Sequence, residues 1–483
     1  MASIAPRDLE DARRLAAGVP EAASAIEYRL DLAEAPIPPS RLLERDPRPV
    51  LATWRTTAEG GAFSGSPEEY RRLTREAYAA GATVDVEYAS GLLSERGEFE
   101  DRRRVVASFH STFALPEDWE DRLAAMLATQ ARAVKFVAGA AELSAALKLA
   151  EIQRRQDGGP VAAFAMGPAS PPGRVLSALF GASLVYGPVE RQTAVGQIPL
   201  AELLDVYGVN RPRRIEALFG IVGADVSGSL SPALHNALFF ARGLPWLYLP
   251  LPVSDFQRVK PQEITFDPPF RGFSVTQPWK LQAAAAGRPS GDVSATGAAN
   301  TLVRERSVWR AENTDVDGVF DPLADHDTGE GRTAVVLGAG GVARAAVVAA
   351  RKLGYEVLVA SRRDDRADAL AGELGIDSLA FEDVAASEAD LYVNATPMGT
   401  RDENGSAIPA AVLANRPLVF DCVYRRDGSP TPTVAAARAA RCAVVEGIQM
   451  FAAQAVRQAR LFGVEGVTPE EVTEILRHFA RTP

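Results

Sequence analysis

The chain has few cysteines and few histidines, and this scarcity excludes two classes of protein. Its 483 residues include 2 cysteines and 4 histidines. Cys422 and Cys442 lie in apolar, strand-like runs, with no second cysteine pair and no histidine at the spacing of metal ligands. We therefore expect neither a disulfide scaffold nor a metal site, and we expect a cytoplasmic location.

An excess of basic charge and long apolar runs are also lacking. The 52 lysines and arginines are outnumbered by 62 acidic residues, giving a formal net charge of −10, which argues against a nucleic-acid surface. No window approaches the roughly eighteen uncharged apolar residues of a membrane helix, and the N-terminal stretch MASIAPRDLEDARR lacks the apolar core of an export signal. We expect a soluble protein whose partners are small molecules, with no nucleic acid and no membrane among them.

Two domains are the natural expectation for a chain of this size. Hydrophobic residues make up 47% of the sequence and charged residues 24%, and 483 residues exceed one ordinary core. A short basic segment with a proline, 210–214, separates two α/β patterns. The predicted parts are a domain at 1–212 and a domain at 213–483, the latter with a substrate lobe at about 216–318 plus helices at about 447–483, and a nucleotide lobe at about 319–446.

The first 212 residues contain eight short β-rich runs, most of them separated by helical segments. This alternation predicts an α/β fold of the (β/α)8 TIM barrel type, with a doubly wound sheet as the alternative. The runs are Ala2–Pro6, Ala25–Leu32, Pro49–Thr56, Thr83–Ala89, Arg104–Ser111, Arg132–Ala138, Pro160–Gly167 and Ala182–Val189. The helical segments are Leu9–Ala17, Pro67–Ala80, Pro116–Gln130 and Ala140–Arg154.

Polar residues close several of these runs, at the strand ends where a TIM barrel carries its active site. Lys135 lies inside the apolar run AVKFVA, where an unpaired charge is costly to bury. It either forms a buried ion pair with Glu87 or Glu27, or it supplies an amine that attacks a ketone. His110 is then a candidate general acid/base. The strand-end residues are Glu27, Arg29, Asp31, Arg55, Asp85, Glu87, Ser108, His110 and Lys135.

The strand-end residues form part of a set of seven short sequence motifs. Taken together, these motifs resemble the type I 3-dehydroquinate dehydratases. The resemblance implies that Lys135 forms an imine with the C3 ketone of 3-dehydroquinate. It also implies that His110 moves the C2 proton to the departing C1 hydroxyl and that Glu87 orients His110. The motifs are EYRLD from Glu27, TWRTTAEGG from Thr53, DVE from Asp85, SFH from Ser108, VKFVA around Lys135, Gly173-Arg174, and TAVGQ from Thr193. The implied substrate-binding residues are Ser3, Glu27, Arg29, Arg55, Arg174, Thr193 and Gln197.

The second half is organised around the stretch TAVVLGAGGVAR at Thr333–Arg344. An apolar run ends in a glycine turn and passes into an apolar helix, the setting in which a GxGxxA loop binds a pyrophosphate. The next run ends in Ser361, Arg362 and Arg363, which suit a ribose 2′-phosphate and therefore indicate NADP. The two aspartates that follow at 364 and 365 are either helix-start residues or weak evidence for NAD.

Three further turns in this half carry polar residues directly after β-like runs. They are GFSVTQPWK from Gly272, GAANTL from Gly297 and ENTDVDG from Glu312. Lys280 and Asp315 are either solvated surface charges or a pair that passes a proton to and from a hydroxyl while hydride leaves its carbon. Ser229 and Ser231 are helix-capping residues or ligands of a substrate.

These segments resemble shikimate dehydrogenase over essentially the whole C-terminal half. The shared motifs include SLSP, VTQPWK, NTL, NTD, GAGG, NATPMG, DCVY and EGIQMFAAQA. The resemblance implies a two-lobed α/β dehydrogenase with a Rossmann NADP-binding lobe, and Lys280 with Asp315 as the catalytic pair. The implied substrate-binding residues are Ser229, Ser231, Thr276, Asn300, Asp315, Tyr424 and Gln454. The implied NADP-binding residues are Gly338, Ala339, Gly340, Gly341, Val342, Ser361, Arg362, Arg363, Thr396, Met398 and Gly447.

The two resemblances predict a bifunctional lyase and oxidoreductase of the shikimate pathway, which leads to chorismate and the aromatic amino acids. The first half would dehydrate 3-dehydroquinate to 3-dehydroshikimate, and the second would reduce that product to shikimate with NADPH. Two alternatives stay open: a second half that uses quinate or both substrates, and a metabolite sensor without activity. A homodimer is also left open, because nothing in the sequence decides the oligomeric state.

Overall fold

The computed structural model describes residues 1–44, 47–95, 99–211, 213–259, 264–326, 329–400 and 405–480. The chain forms two compact units, one made of Met1–Arg214 with Leu251–Val253 and one made of Ile215–Pro250 with Ser254–Pro483. Pro212, in the segment predicted as the joint, and 481–483, at the end of the predicted C-terminal helices, lie outside the described residues.

The first unit is a curled sheet of eight strands in the order β7-β6-β5-β4-β3-β2-β1-β8. Each strand pairing in it is parallel, and β1 pairs with both β2 and β8. Across the seam between β7 and β8, the Ser183 amide donates to the Val161 carbonyl at 2.9 Å. The predicted parallel barrel class is confirmed. The strands are β1 (Ala2–Ile4), β2 (Ile26–Arg29), β3 (Val50–Thr53), β4 (Thr83–Glu87), β5 (Val105–Ser111), β6 (Ala133–Gly139), β7 (Val161–Met166) and β8 (Gly187–Pro188).

The eighth strand is much shorter than the predicted run 182–189. It comprises Gly187 and Pro188 only. A proline has no N–H to donate to a ladder. A Cβ at Gly187 would lie 2.6 Å from the Cα of Leu200, so the chain passes too close to the next helix for a side chain there. A glycine and a proline thus limit the ladder at this edge.

Helices follow seven of the eight strands, and local sequence explains where they begin and end. In the third helix the Ser66 hydroxyl accepts from the Glu69 amide, Pro67 fits the first turn, and Gly81 ends the helix at φ 107°. Between β4 and β5, the described residues form only short 3-10 turns. The helices are α1 (Leu9–Ala17), α2 (Pro39–Leu43), α3 (Pro67–Ala80), α4 (Trp119–Leu127), α5 (Leu143–Arg154), α6 (Pro171–Leu179) and α7 (Leu200–Asp205).

The alternation of side chains along the strands separates the apolar shell from the polar centre of the barrel. On β4, Val84 and Val86 pack in the large core cluster under the helices, whereas Asp85 and Glu87 are buried polar residues on the other face. On β6, Lys135 shares its face with Val137, which belongs to the small inner cluster. A two-residue period therefore places the charged residues of neighbouring strands in one space.

The second unit contains two six-stranded sheets. The first has the order β10-β9-β11-β13-β14-β12 and is mixed, since β11 is parallel to β9 and antiparallel to β13. Its strands are β9 (Ala217–Gly223), β10 (Trp246–Pro252), β11 (Phe270–Val275), β12 (Arg288–Pro289), β13 (Thr301–Glu305) and β14 (Val308–Glu312).

The other sheet is all parallel, with the order β17-β16-β15-β18-β19-β20. Counted from its own first strand, this is the 3-2-1-4-5-6 order of the dinucleotide-binding fold. Its strands are β15 (Thr333–Leu337), β16 (Glu356–Ala360), β17 (Asp377–Ser378), β18 (Leu391–Asn394), β19 (Leu418–Asp421) and β20 (Val444–Glu446).

The C-terminal helices of the second unit pack on its mixed sheet. Phe451, Phe462 and Leu476 share one buried cluster with Phe219 of β9 and Phe239. No helix of the described residues is long and apolar enough to cross a bilayer. The helices are α8 (Ser231–Ala241), α9 (Lys280–Ala284), α10 (Gly291–Thr296), α11 (Asp315–Ala324), α12 (Gly341–Lys352), α13 (Asp364–Leu374), α14 (Ala410–Leu413), α15 (Pro432–Ala439), α16 (Gly447–Leu461) and α17 (Pro469–Ala480).

Candidate active sites

A polar pocket lies in the first unit at the carboxyl ends of the strands. It encloses about 500 Å³ including its open mouth, a volume suited to a small molecule. It brings together most of the residues that the sequence predicted for one site, and Ser3 adjoins them through Glu27. The predicted residues that line the pocket are Glu27, Arg29, Arg55, His110, Lys135, Arg174, Thr193 and Gln197.

Lys135 is buried between two carboxylates and an aromatic ring. Its Nζ lies 3.4 Å from Glu27 Oε1 and 3.5 Å from Asp85 Oδ2, and 4.3 Å above the centre of the Tyr186 ring. The ion-pair partner is therefore Glu27, as one alternative had it, together with Asp85. Glu87 forms no ion pair with this lysine within the described chain. Both distances are long for charge-assisted hydrogen bonds, so the amine is held without being locked to either carboxylate.

Arg55 lies at the centre of the acidic residues, two positions after β3 ends. Its guanidinium donates to Asp85 at 2.8 Å, to Glu59 at 3.0 Å and to Glu87 at 3.1 Å. Burial alone would raise the pKa of Asp85, but Arg55 and Lys135 hold that pKa below its usual value. The arginine thus stabilises a set of buried carboxylates and keeps Asp85 ionised next to Lys135.

His110 pairs with Glu59, whereas the sequence analysis expected Glu87 to orient this histidine. Nδ1 of His110 lies 2.9 Å from Glu59 Oε2. Among the described residues, Glu87 instead accepts hydrogen bonds from Arg55 and from the amide and hydroxyl of Thr56. Glu87 ends the strand next to that of His110, but its carboxylate already accepts hydrogen bonds from Arg55 and Thr56. The sequence feature that could have identified Glu59 is its position in the motif TWRTTAEGG, four residues after Arg55.

The electrostatic surroundings favour uncharged forms of this histidine–glutamate pair. Burial, with the positive charges of Arg55 and Lys135, holds the pKa of His110 well below its ordinary value. Burial also raises the pKa of Glu59 to about 8, although Arg55 opposes the shift. With Nδ1 bonded to Glu59, the Nε2 atom of the ring is left to the pocket. His110 is therefore suited to exchange a proton with a bound molecule.

The opposite wall of the pocket is a network of hydroxyl and amide groups. Glu27 accepts from the Ser3 hydroxyl at 2.6 Å, and Ser3 lies 3.2 Å from the Thr193 hydroxyl. Gln197 Oε1 accepts from both the amide and the hydroxyl of Thr193. Arg29 is bound by Asp31 through two 2.8 Å hydrogen bonds and also donates to the Thr193 carbonyl at 3.1 Å. The motifs EYRLD and TAVGQ thus form one surface.

Arg174 is a basic residue of the pocket without a carboxylate partner in the described part of the chain. Its guanidinium lies 4.9 Å from the centre of the Phe164 ring, and its Nε is buried without a hydrogen-bond partner among the described residues. Burial lowers the pKa of Arg174 to about 10. A buried cation in this state is stabilised by an anion, so this part of the pocket is suited to a carboxylate.

In the second unit, Lys280 and Asp315 form a direct ion pair. Lys280 Nζ donates to Asp315 Oδ2 at 2.6 Å, and the other carboxylate oxygen accepts from Asn300 Nδ2 at 2.9 Å. Asn300 is fixed in turn by the amide of Thr314, which donates to its Oδ1 at 2.9 Å. Lys280 and Asp315 begin the helices α9 and α11. The surface-charge alternative does not fit, because Asp315 is buried and Lys280 is largely so.

Both predicted serines lie next to Tyr424. The Ser229 hydroxyl accepts from the Ser231 amide at 3.2 Å, just before α8, and Ser231 is the first residue of that helix. Tyr424 bonds the backbone of Leu230, between the two serines, and burial raises its pKa to about 12. Capping and ligand roles are therefore compatible here.

The two remaining predicted ligands of the substrate lie on separate elements. Gln454, on α16, accepts from the Thr314 hydroxyl at 3.2 Å and thereby adjoins Asp315. Thr276 follows β11, and its amide donates to the carbonyl of Val222 at the end of β9. The structure thus brings Gln454 to the lysine–aspartate pair and keeps Thr276 at the end of the mixed sheet.

The glycine loop lies at the point where the order of the strands in the parallel sheet reverses. Gly338 has φ 121° and packs so closely that a Cβ would lie 2.9 Å from the Ala395 carbonyl oxygen. Gly340 caps α12, and a Cβ at Gly341 would lie 2.9 Å from Cδ of Lys280. The loop with Ala339 and Val342 therefore forms a cradle beside Lys280 that side chains would fill, which fits a dinucleotide.

The other predicted cofactor residues lie at neighbouring strand ends of the parallel sheet. Ser361, Arg362 and Arg363 follow β16, and both arginines are exposed. Asn394 accepts from the hydroxyl of Thr396 at 2.7 Å and donates to the carbonyl of Met398 at 3.1 Å, which fixes that loop. A Cβ at Gly447 would lie 2.4 Å from the Val423 carbonyl oxygen, so only glycine allows this approach.

Comparison with known proteins agrees with both sites. Residues 1–212 match the family of type I 3-dehydroquinase, and residues 221–302 match the substrate-binding domain of shikimate dehydrogenase. A bifunctional 3-dehydroquinate dehydratase/shikimate dehydrogenase of Arabidopsis thaliana, described as chloroplastic, is 29% identical over 456 residues, 87% of this chain and 74% of the relative. A shikimate dehydrogenase (NADP(+)) of Oleidesulfovibrio alaskensis is 35% identical over 259 residues, covering 52% of this chain and 91% of the relative. The chain belongs to the shikimate dehydrogenase family and carries a type I 3-dehydroquinase domain in its first 212 residues.

Two further similarities concern the dehydrogenase unit. Residues 333–423 match a family described as NADP oxidoreductase, coenzyme F420-dependent. A crystal structure of shikimate 5-dehydrogenase from Thermus thermophilus in complex with NADP(H) and shikimate is 32% identical, covering 54% of this chain and 99% of that one with a TM-score of 0.48. The predicted family, fold class and pair of enzyme classes are confirmed by the family matches and the relatives.

Proposed function

We propose that the dehydratase unit eliminates water from 3-dehydroquinate and that the dehydrogenase unit reduces the resulting 3-dehydroshikimate to shikimate with NADPH. The observation that carries this proposal is that one chain holds two complete proton-handling sets. Lys135 with His110 and Glu59 forms one, and Lys280 with Asp315 beside a glycine loop forms the other. We assign the dehydratase to 1–212 and the dehydrogenase to 213–483, with its substrate lobe at about 216–318 plus about 447–483 and its NADP lobe at about 319–446.

In the dehydratase, Lys135 has to lose a proton before its amine attacks the C3 ketone. Asp85 is already paired with Arg55. Within the part of the chain that the structure describes, the other hydrogen bonds of Glu27 come from hydroxyl groups alone, so Glu27 is the better acceptor. Attack and loss of water give an imine, which withdraws electrons from C2. His110 then takes the C2 proton and delivers it to the C1 hydroxyl, which leaves as water. Water finally hydrolyses the imine and restores the lysine.

Binding of the substrate follows from the same geometry. The unpartnered guanidinium of Arg174 pairs with the carboxylate, and the network of Ser3, Thr193 and Gln197 meets the hydroxyl groups. Arg29 is aligned by Asp31, and Glu59 rather than Glu87 orients His110. Arg55 lines the same pocket and organises its acidic residues.

In the dehydrogenase, Lys280 donates a proton to the carbonyl oxygen that becomes a hydroxyl, and Asp315 holds the lysine in place. NADPH supplies the hydride when it is bound. Its pyrophosphate would lie on the glycine loop and its 2′-phosphate on Ser361, Arg362 and Arg363. Thr396, Met398 and Gly447 would line the nicotinamide end. Ser229, Ser231, Thr276, Asn300, Tyr424 and Gln454 would hold the substrate.

A cytoplasmic location is part of the proposal. The two cysteines, Cys422 and Cys442, are both free thiols, as expected in a reducing compartment. Shikimate rather than quinate is the proposed substrate of the dehydrogenase, on the resemblance of its paired serines. Comparison of the two compounds as NADP-dependent substrates of the same preparation tests this choice.

The experiment that tests the proposal is borohydride trapping of the full chain with 3-dehydroquinate, followed by peptide mass mapping. We expect an adduct on Lys135, loss of dehydration and retained NADP-dependent oxidation of shikimate. A Lys148→Ala variant, changed on the exposed side of α5, should still form the adduct, and Lys135→Ala should not. An active enzyme that forms no adduct would contradict the imine route.

A further inference from the structure

A buried amide in the dehydrogenase unit joins four elements and has no role in the sites described above. Gln458, on α16, is 2% exposed. Its Oε1 accepts from the Ser274 hydroxyl of β11 at 2.7 Å and lies 3.1 Å from Nε2 of His235 on α8. Its Nε2 donates to the Thr301 hydroxyl of β13 at 2.7 Å. Three hydrogen-bond partners on its two ends favour a single orientation of this amide.

On one side, the hydrogen bonds of Gln458 lead to the lysine–aspartate pair. The Thr301 hydroxyl accepts from Gln458 and donates to Asn300 Oδ1 at 2.9 Å. Asn300 Nδ2 donates in turn to Asp315 Oδ1 at 2.9 Å. The carboxylate that holds Lys280 is thus oriented through three successive hydrogen bonds that begin at Gln458.

On the other side, the hydrogen bonds lead to the serines at the start of α8. The Tyr248 hydroxyl donates to the Ser274 hydroxyl at 2.5 Å, which leaves Ser274 free to donate to Gln458. Ser231 lies close enough to the Tyr248 hydroxyl to oppose, together with Ser274, the rise in the pKa of Tyr248 that burial causes. Ser231 is one of the residues proposed to bind the substrate, so the chain of bonds ends at the substrate on this side as well.

The chemistry of the groups fixes the direction of this chain. If the amide of Gln458 were reversed, its oxygen would face Thr301, whose single hydroxyl hydrogen would turn to that oxygen. The hydrogen bond from Thr301 to Asn300 would then be lost. The arrangement in the structure is therefore the one in which the hydroxyls of Thr301 and Ser274 each both accept and donate.

We propose that Gln458 is a positioning residue for the dehydrogenase reaction, which couples the orientation of Asp315 to that of Ser231. The proposal rests on the proposed function of this unit and adds to it a residue that does not touch the substrate. Its physical basis is that a buried hydrogen-bond network of this kind has few low-energy arrangements, whereas removal of its central amide allows more. Proton transfer from Lys280 depends on that arrangement to within fractions of an ångström.

Three variants of the full chain separate positioning from a general structural role. Thr301→Val interrupts the arm toward Asp315, and we expect kcat for shikimate oxidation to fall about tenfold with little change in KM. Ser274→Ala interrupts the arm toward Ser231, and we expect KM for shikimate to rise with kcat nearly unchanged. Gln458→Met interrupts both arms, and we expect both effects together. Arg460→Met, an exposed change on the same helix, is the matched control and should leave both constants unchanged.

The measurements are made well below the unfolding temperature of each variant. The dehydratase rate of the same preparation serves as a measure of how much of the protein is intact. The KM for NADP should stay within about twofold of the parent. If Gln458→Met is folded and keeps both kcat and KM for shikimate, the positioning role is excluded. If all three variants showed the same decrease in kcat and the same increase in KM, the result would likewise overturn the positioning role in favour of a structural one. A parent chain without NADP-dependent shikimate oxidation would instead refute the proposed function itself.

Discussion

Individual residues in this protein show how burial selects one partner among several of the same type. Glu59 and Glu87 are both buried glutamates bonded to Arg55, yet only Glu59 contacts His110. Glu87 is held by the amide and hydroxyl of Thr56. The difference lies in which backbone each carboxylate meets, and two substitutions can test it.

Glu59→Gln should lower kcat of dehydration by about 100-fold, because the amide no longer fixes His110 as a proton acceptor and general acid–base catalysis contributes about 10²–10⁴-fold. Glu87→Gln should retain most of kcat and mainly lower thermal stability. Steady-state rates and melting curves of both variants check this. A loss of kcat in Glu87→Gln equal to that in Glu59→Gln, with both proteins folded, would restore the role first given to Glu87.

Arg362→Ala should weaken NADPH far more than NADH. Loss of a charge-assisted hydrogen bond to the 2′-phosphate is worth about 1.5–3 kcal/mol, or roughly 10- to 150-fold in KM. Arg366→Ala, an exposed change in the following helix, should leave both KM values unchanged. Equal increases for NADPH and NADH in the Arg362 variant would show that this side chain does not read the phosphate.

His235 should make the stability of the dehydrogenase unit depend on pH. Burial lowers its pKa from 6.5 to about 4, opposed by the Gln458 hydrogen bond, so between these values the unfolded chain binds more protons than the folded one. Stability should therefore be full above about pH 6.5 and fall as the pH drops to about 4, by about 2 kcal/mol between pH 7 and pH 5. Denaturant unfolding at both pH values measures this. A parent protein without such a slope would contradict the assignment to His235.

At the scale of elements, strand ends and helix starts position the chemistry. Lys280 and Asp315 each begin a helix, and Gly338 and Gly340 connect β15 to α12. Because a Cβ at Gly341 would meet Lys280, the cofactor loop and the lysine share one space. The loop therefore has to remain free of side chains.

Gly338→Ala should abolish NADP binding, since the residue has φ 121° and the new Cβ would lie 2.9 Å from a carbonyl oxygen. Gly372 lies in α13, and a Cβ there would meet open space. Gly372→Ala is therefore the matched control. Fluorescence titration with NADPH distinguishes them. Unchanged affinity in Gly338→Ala would mean that the loop tolerates a side chain and does not approach the cofactor.

At the scale of the whole molecule, each unit carries a complete candidate site of its own. Lys135→Ala should abolish dehydration and leave shikimate oxidation intact, and Lys280→Ala should do the reverse, because neither residue lines the other site. Coupled assays of each reaction on each variant measure this. If either variant lost both activities while folded, the two sites could not be independent.

The sequence determined the two-part organisation, the parallel barrel and dinucleotide folds, and most candidate site residues, because these depend on local patterns. Strand periodicity, glycine turns and polar residues at strand ends are readable over a few positions. Only the tertiary structure decided which glutamate serves His110, which carboxylates hold Lys135, and what Gln458 joins. The partners of Gln458 lie 157 to 223 residues away in the chain. Contacts of that kind depend on how strands and helices pack, since packing sets side-chain distances that no sequence spacing specifies.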